Sequence, residues 1–307
     1  MYAVPPVRGT LAFWRVHLVR LSYRVSLQYE VLTPGTDFVF CIQPARTLQQ
    51  RVMAEDLQIS QAVVPRSHLQ PGTHNRILRL QAALGPLRVD HQATVDIQHH
   101  QQDPATLGEV RVAELPDHVL PWLMPSRYCQ SDLLHSFAMR QFGTIWQGYS
   151  RVQHICQWVQ THVQFASNSS DSSTSATDTL TTRRGVCRDF AHLMIALCRA
   201  VNIPARFATG FDYGADPALG PQDFHAYVEV WLGGRWYLFD PSGTAIPMGF
   251  VRLATGRDAA DAAFATIFGS VQAQPPVIHI EAVADELGRC MTPVRITDGL
   301  STDAGYA

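Results

Sequence analysis

Hydrophobic and polar residues alternate along the first third of the chain. From residue 21 to residue 31 the odd positions are apolar and the even positions are polar, which predicts a half-buried β-strand. Further short apolar runs, separated by turn residues, follow at 38–42, 76–84 and 92–98. We therefore predict an N-terminal all-β domain over residues 1–115, without a catalytic group of its own.

The apolar spacing becomes helical after the proline-containing segment at 114–126. Between Ile145 and Phe165, apolar residues recur every three or four positions, which predicts an amphipathic helix with Cys156 on its buried face. The segment SNSSDSSTSATDT at 167–179 is too polar to pack in a core and predicts a surface loop.

A second helix is predicted to begin at Cys187 and to end near Asn202, before Pro204. The apolar runs HAYVEVWL and RWYLFD on either side of Gly233-Gly234 then predict a β-hairpin. More strands are expected at FVRLA, AFATIF and VIHIEAV. We predict a second domain over 116–284 and an irregular C-terminal tail over 285–307.

The composition is that of a folded globular protein, because 46% of the 307 residues are hydrophobic and 16% are charged. A formal net charge of −2 gives no reason to expect nucleic acid or an anionic membrane as a partner. Arginine accounts for all 24 residues of the Lys+Arg total. This chain could therefore not be crosslinked through lysine side chains of its own.

The cysteines and the N-terminal residues predict a cytoplasmic protein. The 6 cysteines lack CxxC spacing and are too few for a disulfide scaffold of this length, so we expect reduced thiols. The apolar run LAFWRVHLV at 11–19 is interrupted by Arg15 and His17 and lacks a small-residue cleavage site after it. It predicts neither a signal peptide nor a membrane-spanning helix.

Cys187 is the first candidate for chemistry. A cysteine acts as a nucleophile only as the thiolate, and the unpaired N–H groups at a helix N-terminus favour negative charge. Gly185 allows the chain to turn tightly into the helix. The alternative is an ordinary packing thiol, which is the more common role of a cysteine in a reduced protein.

His225 and Asp240 are the candidate base and its orienting acceptor. If Gly233 and Gly234 form a two-residue turn, Asp240 lies opposite Tyr227, and His225 lies two residues from Tyr227 on the same face. Such diagonal neighbours are separated by roughly 7–8 Å at the backbone, a distance that an imidazole and a carboxylate can bridge. Taken singly, His225 could be a polar residue at a strand start and Asp240 a turn former before Pro241.

Two segments, GVCRDFAHLMIALCRAVNIPARFATGF and DFHAYVEVWLGGRWYLFDPS, closely resemble the core of the transglutaminase-like superfamily. The resemblance covers roughly residues 120–245 and also includes the helix at 146–165. It implies a papain-like α+β fold, in which the helix bearing the cysteine packs on an antiparallel sheet, next to an N-terminal all-β domain.

The resemblance also assigns roles to single residues. Cys187 corresponds to the nucleophile, His225 to the base and Asp240 to the residue that orients the base. The backbone N–H of Cys187 is the first candidate oxyanion donor, and the second donor is left open among Trp146, Tyr128 and Gln222. The usual family pattern has tryptophan where this chain has Tyr227.

The resemblance implies acyl transfer through a thioester, with a protein or peptide as substrate. Hydrolysis by a bacterial cysteine protease is the first expectation. Glutamine crosslinking or deamidation is the second, and a non-catalytic binding scaffold is the third. No cofactor is expected, and the set Cys187, His192, Cys198 and His225 matches no usual zinc spacing. His192 is expected to be a packed or solvent-facing residue.

Overall fold

Six of the seven N-terminal β-strands lie in two antiparallel sheets, and the seventh belongs to a separate two-stranded sheet. The computed structural model describes residues 18–214 and 222–303; most of the apolar run at 11–19 and the end of the predicted tail lie outside these residues. The strands are β1 Leu18–Val31, β2 Thr36–Phe40, β3 Gln50–Ile59, β4 Arg66–Leu69, β5 Arg76–Ala82, β6 Gly85–Gln98 and β7 His100–Gln102.

Alternation correctly predicted the first strand. In β1 the odd positions are buried, because the face that carries them packs in a core shared with residues of β2 and β5. The runs at 38–42, 76–84 and 92–98 are also confirmed as parts of β2, β5 and β6. Our pattern did not identify β3 and β4, which are sheet edges with mostly exposed side chains and therefore show little alternation.

The helical region follows short 3₁₀ segments at Pro104–Thr106, Val112–Glu114 and Asp117–Leu123. Its elements are α1 Ser131–Phe142, α2 Tyr149–His162, β8 Gln164–Phe165, α3 Ala176–Thr182, β9 Arg184–Gly185 and α4 Cys187–Ala200. The predicted amphipathic helix is confirmed as α2, and Cys156 is 3% exposed on its packed face.

The polar segment at 167–179 is only partly a loop, and this prediction was wrong for residues 176–179. These residues begin α3, which Ser175 and Asp178 start together: Asp178 Oδ2 accepts hydrogen bonds from the backbone N–H and the hydroxyl of Ser175 at 3.0 and 2.6 Å. Such pairing satisfies donors at a helix start, so a polar sequence can be helical without a long apolar face.

The second half of the chain forms a four-stranded antiparallel sheet in the order β12-β11-β10-β13. Its strands are β10 Ala205–Asp212, β11 Phe224–Leu232, β12 Arg235–Phe239 and β13 Phe250–Gly256, and a 3₁₀ turn at Pro247–Gly249 precedes β13. The predicted helix at Cys187 is confirmed as α4, which contacts α1, α2, α3, β10 and β11. The sheet therefore supports the helix that begins at Cys187.

The hairpin has the predicted turn length. Leu232 pairs with Arg235, and both turn glycines have positive φ, 54° at Gly233 and 88° at Gly234. This conformation suits the twist of a two-residue hairpin and favours glycine at both positions. The register that follows from it is the one that relates His225 to Asp240.

The last strands return to the N-terminal sheets. They are β14 Ala265–Phe268, β15 Val271–Ala273, β16 Val277–Ala282 and β17 Gly299–Ser301. β14 pairs with β2, β15 and β16 pair with β1, and β17 pairs with β7. Sheet pairing therefore joins residues 265–282 to the N-terminal region, whereas our predicted second domain included them within 116–284. The tail that we predicted to be irregular, 285–307, contains the strand β17.

A buried cluster of charges joins the C-terminal segment to the four-stranded sheet. Arg206 and Arg252 both contact Glu229 and Asp303, and all four side chains are at most 6% exposed. Trp236 lies 4.2 Å from the Arg206 guanidinium, which packs over its ring. In the described part of the chain, no helix is long and apolar enough to cross a membrane.

Candidate active site

Cys187 is the first residue of α4 and lies beside the start of β11. Its Sγ is 4.0 Å from the backbone oxygen of Phe224, the neighbour of His225. The side chain is only partly buried, unlike those of Cys41, Cys129, Cys156 and Cys198. Burial raises the pKa of Cys41 to about 11 and that of Cys129 to about 12, which keeps these two thiols protonated and inert.

Asp189 stabilises the start of the helix that carries Cys187. Its Oδ2 accepts a hydrogen bond from the backbone N–H of Val186 at 2.8 Å, and the carboxylate also contacts the Arg188 guanidinium at 3.2 Å. A side chain added at Gly185 would come within 2.6 Å of the Asp189 Cβ. The glycine therefore leaves room for the carboxylate that holds the chain entering α4.

Replacement of Asp189 by alanine is expected to lower the free energy of unfolding by about 1–2 kcal/mol, because the helix start loses its cap. Urea denaturation followed by circular dichroism measures this change. Asp132→Ala, in the first turn of α1 and exposed, is the control. Equal unfolding midpoints for the two variants would show that Asp189 does not stabilise α4.

His225 and Asp240 meet as the hairpin register predicted. The imidazole Nε2 is 3.4 Å from Asp240 Oδ1, and the two residues are 8% and 7% exposed. Since Nε2 faces Asp240, Nδ1 is the ring nitrogen left for Cys187. The register prediction is confirmed, and the local alternatives for these two residues do not account for a buried imidazole–carboxylate contact.

Asp240 is held in place by several donors. Its Oδ1 accepts from the backbone N–H and the hydroxyl of Ser242 at 3.0 and 2.6 Å, and its Oδ2 accepts from the Ala245 N–H at 2.9 Å. Burial acts to raise the pKa of Asp240, but the hydrogen bonds from His225, Ser242 and Ala245 outweigh it and lower the pKa. Asp240 is therefore a carboxylate at neutral pH. Ser242 was not among the predicted site residues; its place two residues after Asp240, in the turn Asp240-Pro241-Ser242, was the available signal.

The imidazole of His225 is protonated more readily than an ordinary histidine. Burial alone would lower its pKa, but the charge of Cys187 and the hydrogen bond and charge of Asp240 raise the pKa well above the usual value. An imidazolium between a thiol and a carboxylate stabilises the thiolate. The arrangement therefore provides the cationic partner that a cysteine nucleophile needs, since the thiolate is its reactive form.

The three side chains considered as second oxyanion donor are placed differently. The Tyr128 hydroxyl donates to the Ser172 backbone oxygen at 2.6 Å, and the Gln222 amide exchanges hydrogen bonds with the backbone of Ile280 at 3.1 and 3.4 Å. Trp146 is 85% exposed. The backbone N–H of Tyr149, three residues after Trp146, donates to the backbone oxygen of Leu107. Leu107 packs beside the Gly233 turn, at the end of β11 that is remote from His225. The structure assigns the second donor to none of them.

His192 is a packing residue, as expected. Its Nε2 accepts a hydrogen bond from the Ala259 N–H at 3.1 Å, and its ring stacks on Tyr128 with centroids 5.0 Å apart. Burial lowers its pKa to about 3, so it stays neutral. Within 18–214 and 222–303, no group of three or more His, Cys, Asp or Glu side chains is arranged to hold a metal ion.

Comparisons with known proteins agree with this geometry. Residues 136–241 match the model of the transglutaminase-like superfamily. The chain is similar to the crystal structure of "a Putative Cysteine Protease from Cytophaga hutchinsonii", with 37% sequence identity and a TM-score of 0.86 over 93% of this chain and 98% of that chain. The predicted fold class, an α+β core with a helix on an antiparallel sheet, is thereby confirmed.

Two uncharacterized mycobacterial proteins are also similar to this chain. The Mycobacterium tuberculosis protein is 26% identical over 281 residues, which cover 83% of this chain and 87% of that protein. The Mycobacterium leprae protein is 30% identical over 112 residues, which cover 35% of this chain and 40% of that protein.

Proposed function

Since the chain belongs to the transglutaminase-like superfamily, we propose that it is a cysteine enzyme that hydrolyses amide bonds in a protein or peptide substrate. The observation that carries the proposal is the meeting of three groups. Cys187 begins α4 beside the start of β11, and the buried His225 of that strand contacts Asp240. Similarity to a structure described as "a Putative Cysteine Protease" supports hydrolysis as the reaction.

In the proposed reaction the Cys187 thiolate attacks the carbonyl carbon of the scissile amide. A C–S bond forms, and the backbone N–H of Cys187 stabilises the oxygen that becomes negative. Collapse of this intermediate breaks the C–N bond, and His225 gives its proton to the leaving amine. Water, deprotonated by His225, then attacks the thioester carbonyl carbon. The C–S bond breaks, a carboxylic acid is released, and His225 returns the proton to the sulfur of Cys187.

Alkylation by iodoacetamide near pH 7, followed by mass spectrometry, tests whether Cys187 is the reactive thiol. We expect carboxamidomethylation of Cys187 well before that of the buried Cys156 and Cys198. Hydrolysis of dye-labelled casein should fall in parallel with modification of Cys187. Hydrolysis that persists after full modification of Cys187 would contradict the proposal.

An added amine distinguishes hydrolysis from transfer. The same thioester would be attacked by an amine in a crosslinking enzyme, so a fluorescent primary amine is supplied together with casein. New carboxyl termini with little incorporated amine support a peptidase. Incorporation of the amine at glutamine side chains would instead identify a transglutaminase.

Replacement of Asp240 by asparagine is expected to reduce kcat by about 10³-fold with little change in KM, because the imidazole loses its orientation and its charge partner. The alkaline limb of the pH profile should also move to lower pH. Asp240 raises the pKa of His225, so without its charge the imidazolium is lost earlier as the pH rises.

Steady-state kinetics across pH measures both effects of this substitution. Asp37→Asn is the control. Asp37 is exposed on β2 in the N-terminal region, so this variant should behave as wild type. A normal kcat for Asp240→Asn would exclude Asp240 from the reaction.

A further inference from the structure

Tyr227 connects His225 to a second buried carboxylate. Its ring packs edge-on against the imidazole of His225, with centroids 4.7 Å apart and an interplanar angle of 67°. Its hydroxyl donates to Asp212 Oδ1 at 2.9 Å. Asp212 ends β10, the strand that pairs with β11. His225 therefore has Asp240 at its Nε2 and the ring of Tyr227 against its imidazole, and the hydroxyl of this tyrosine is bonded to Asp212.

Asp212 is placed where its charge state matters to the imidazole. It is 3% exposed, and burial raises its pKa to about 7, against the opposing charge of His225 and the hydrogen bond from Tyr227. The same carboxyl is also sensitive to the negative charge of Asp240. Asp212 thus changes charge near neutral pH within electrostatic reach of His225.

The surroundings hold the pair firmly. Phe250 of β13 lies 4.2 Å from the Tyr227 ring, and a side chain at Gly210 would come within 2.5 Å of this phenylalanine. Titratable groups that act on the pair are His225 on β11, Asp240 after β12 and Arg295 in the C-terminal segment. Tyr227 itself is fully buried, so its ring has little freedom to turn away from the imidazole.

We propose that Tyr227 and Asp212 are positioning residues for His225, with the Tyr227 ring fixing the imidazole plane and the Asp212 carboxylate stabilising its protonated form. This inference rests on the proposed role of His225 in the reaction. A negative Asp212 favours the imidazolium and hence the thiolate of Cys187, and a protonated Asp212 does not. Neither residue contacts the reacting atoms in this scheme.

The test is a pH titration of His225 by NMR in full-length protein labelled at histidine, with His225→Gln used to assign the signal. In Asp212→Asn we expect the pH midpoint of His225 to fall by about 1 unit, because one buried negative charge near the ring is removed. Tyr227→Phe keeps the ring and removes only the hydrogen bond that helps Asp212 ionise. In Tyr227→Phe the pH midpoint of His225 should therefore fall by less than in Asp212→Asn.

Asp96→Asn is the matched control. Asp96 is a buried carboxylate paired with Arg20 at 2.5 Å in the N-terminal sheets, and its loss should leave the His225 midpoint unchanged. A midpoint in folded Asp212→Asn equal to that of wild type would overturn the proposal. Tyr227→Leu, which removes the aromatic wall, should broaden or shift the His225 signal; an unaltered signal would contradict the role of the ring.

The result of the His225 titration can be distinguished from the result of the test for peptide hydrolysis. The titration reports the imidazole directly and needs no substrate. A chain that cleaves no peptide but shows the shift in Asp212→Asn would refute hydrolysis and keep the electrostatic link. A chain that cleaves peptides through Cys187 but shows no shift would keep the function and refute this inference.

Discussion

Cys187→Ala is expected to lower peptide hydrolysis by at least about 10³-fold, because no thiolate is left to form the thioester. Folding should be nearly unaffected, since the side chain is only partly buried and the substitution removes a single sulfur. Hydrolysis of dye-labelled casein and thermal unfolding, measured on the same preparation, check both expectations. Cys187→Ser should be almost as inactive, because a hydroxyl is a much weaker nucleophile at neutral pH.

Cys290→Ala is the matched control for this substitution. Cys290 is the exposed free cysteine of the C-terminal segment, so its removal takes away another accessible thiol without touching the candidate site. We expect wild-type hydrolysis from Cys290→Ala. Hydrolysis unchanged in Cys187→Ala would show that the chain carries no thioester chemistry at this position.

Glu229→Gln is expected to destabilise the protein by about 3–5 kcal/mol, since it removes one partner from a buried ion cluster. Glu229 contacts Arg206 at 2.5 Å and Arg252 at 3.1 Å, and its side chain is 2% exposed. Without its charge, two buried guanidinium groups share the single carboxylate of Asp303. Urea denaturation at pH 7 measures the loss as a lower unfolding midpoint.

The acid dependence of stability provides a second readout of the same cluster. The charges of Arg252 and Arg206 lower the pKa of Asp303 far below its ordinary range, although burial alone would raise it. Its stabilising effect is therefore complete above the ordinary aspartate range and is lost only as the pH falls well below that range.

Glu281→Gln, on the exposed face of β16, is the control for Glu229→Gln and should change the unfolding midpoint little. A midpoint for Glu229→Gln equal to that of Glu281→Gln would show that the cluster does not stabilise the fold.

The candidate site was predictable because each of its parts is encoded in a short stretch of sequence. The start of α4 follows from helical spacing after a glycine, and the hairpin follows from two adjacent glycines. Turn length then determines which residues face one another, so the contact of His225 with Asp240 could be predicted without knowledge of the rest of the chain.

The residues around the site were less predictable, because their roles depend on contacts between distant segments. The local sequence pattern assigns no role to Asp212, and only the pairing of β10 with β11 brings it to the Tyr227 hydroxyl. The polar sequence around Ser175 and Asp178 predicts a loop, whereas hydrogen bonds between these two residues start α3.

By itself, the sequence determined the elements whose pattern repeats every two or three to four residues, together with the register of the hairpin. Only the tertiary structure decided that β14, β15 and β16 complete the N-terminal sheets and that Asp303 closes a buried charge cluster with Arg206. The physical reason is the distance along the chain over which each kind of interaction acts. Backbone geometry and side-chain alternation act between near neighbours, whereas strand partners and buried ion pairs are selected by the packing of segments that are far apart in the chain.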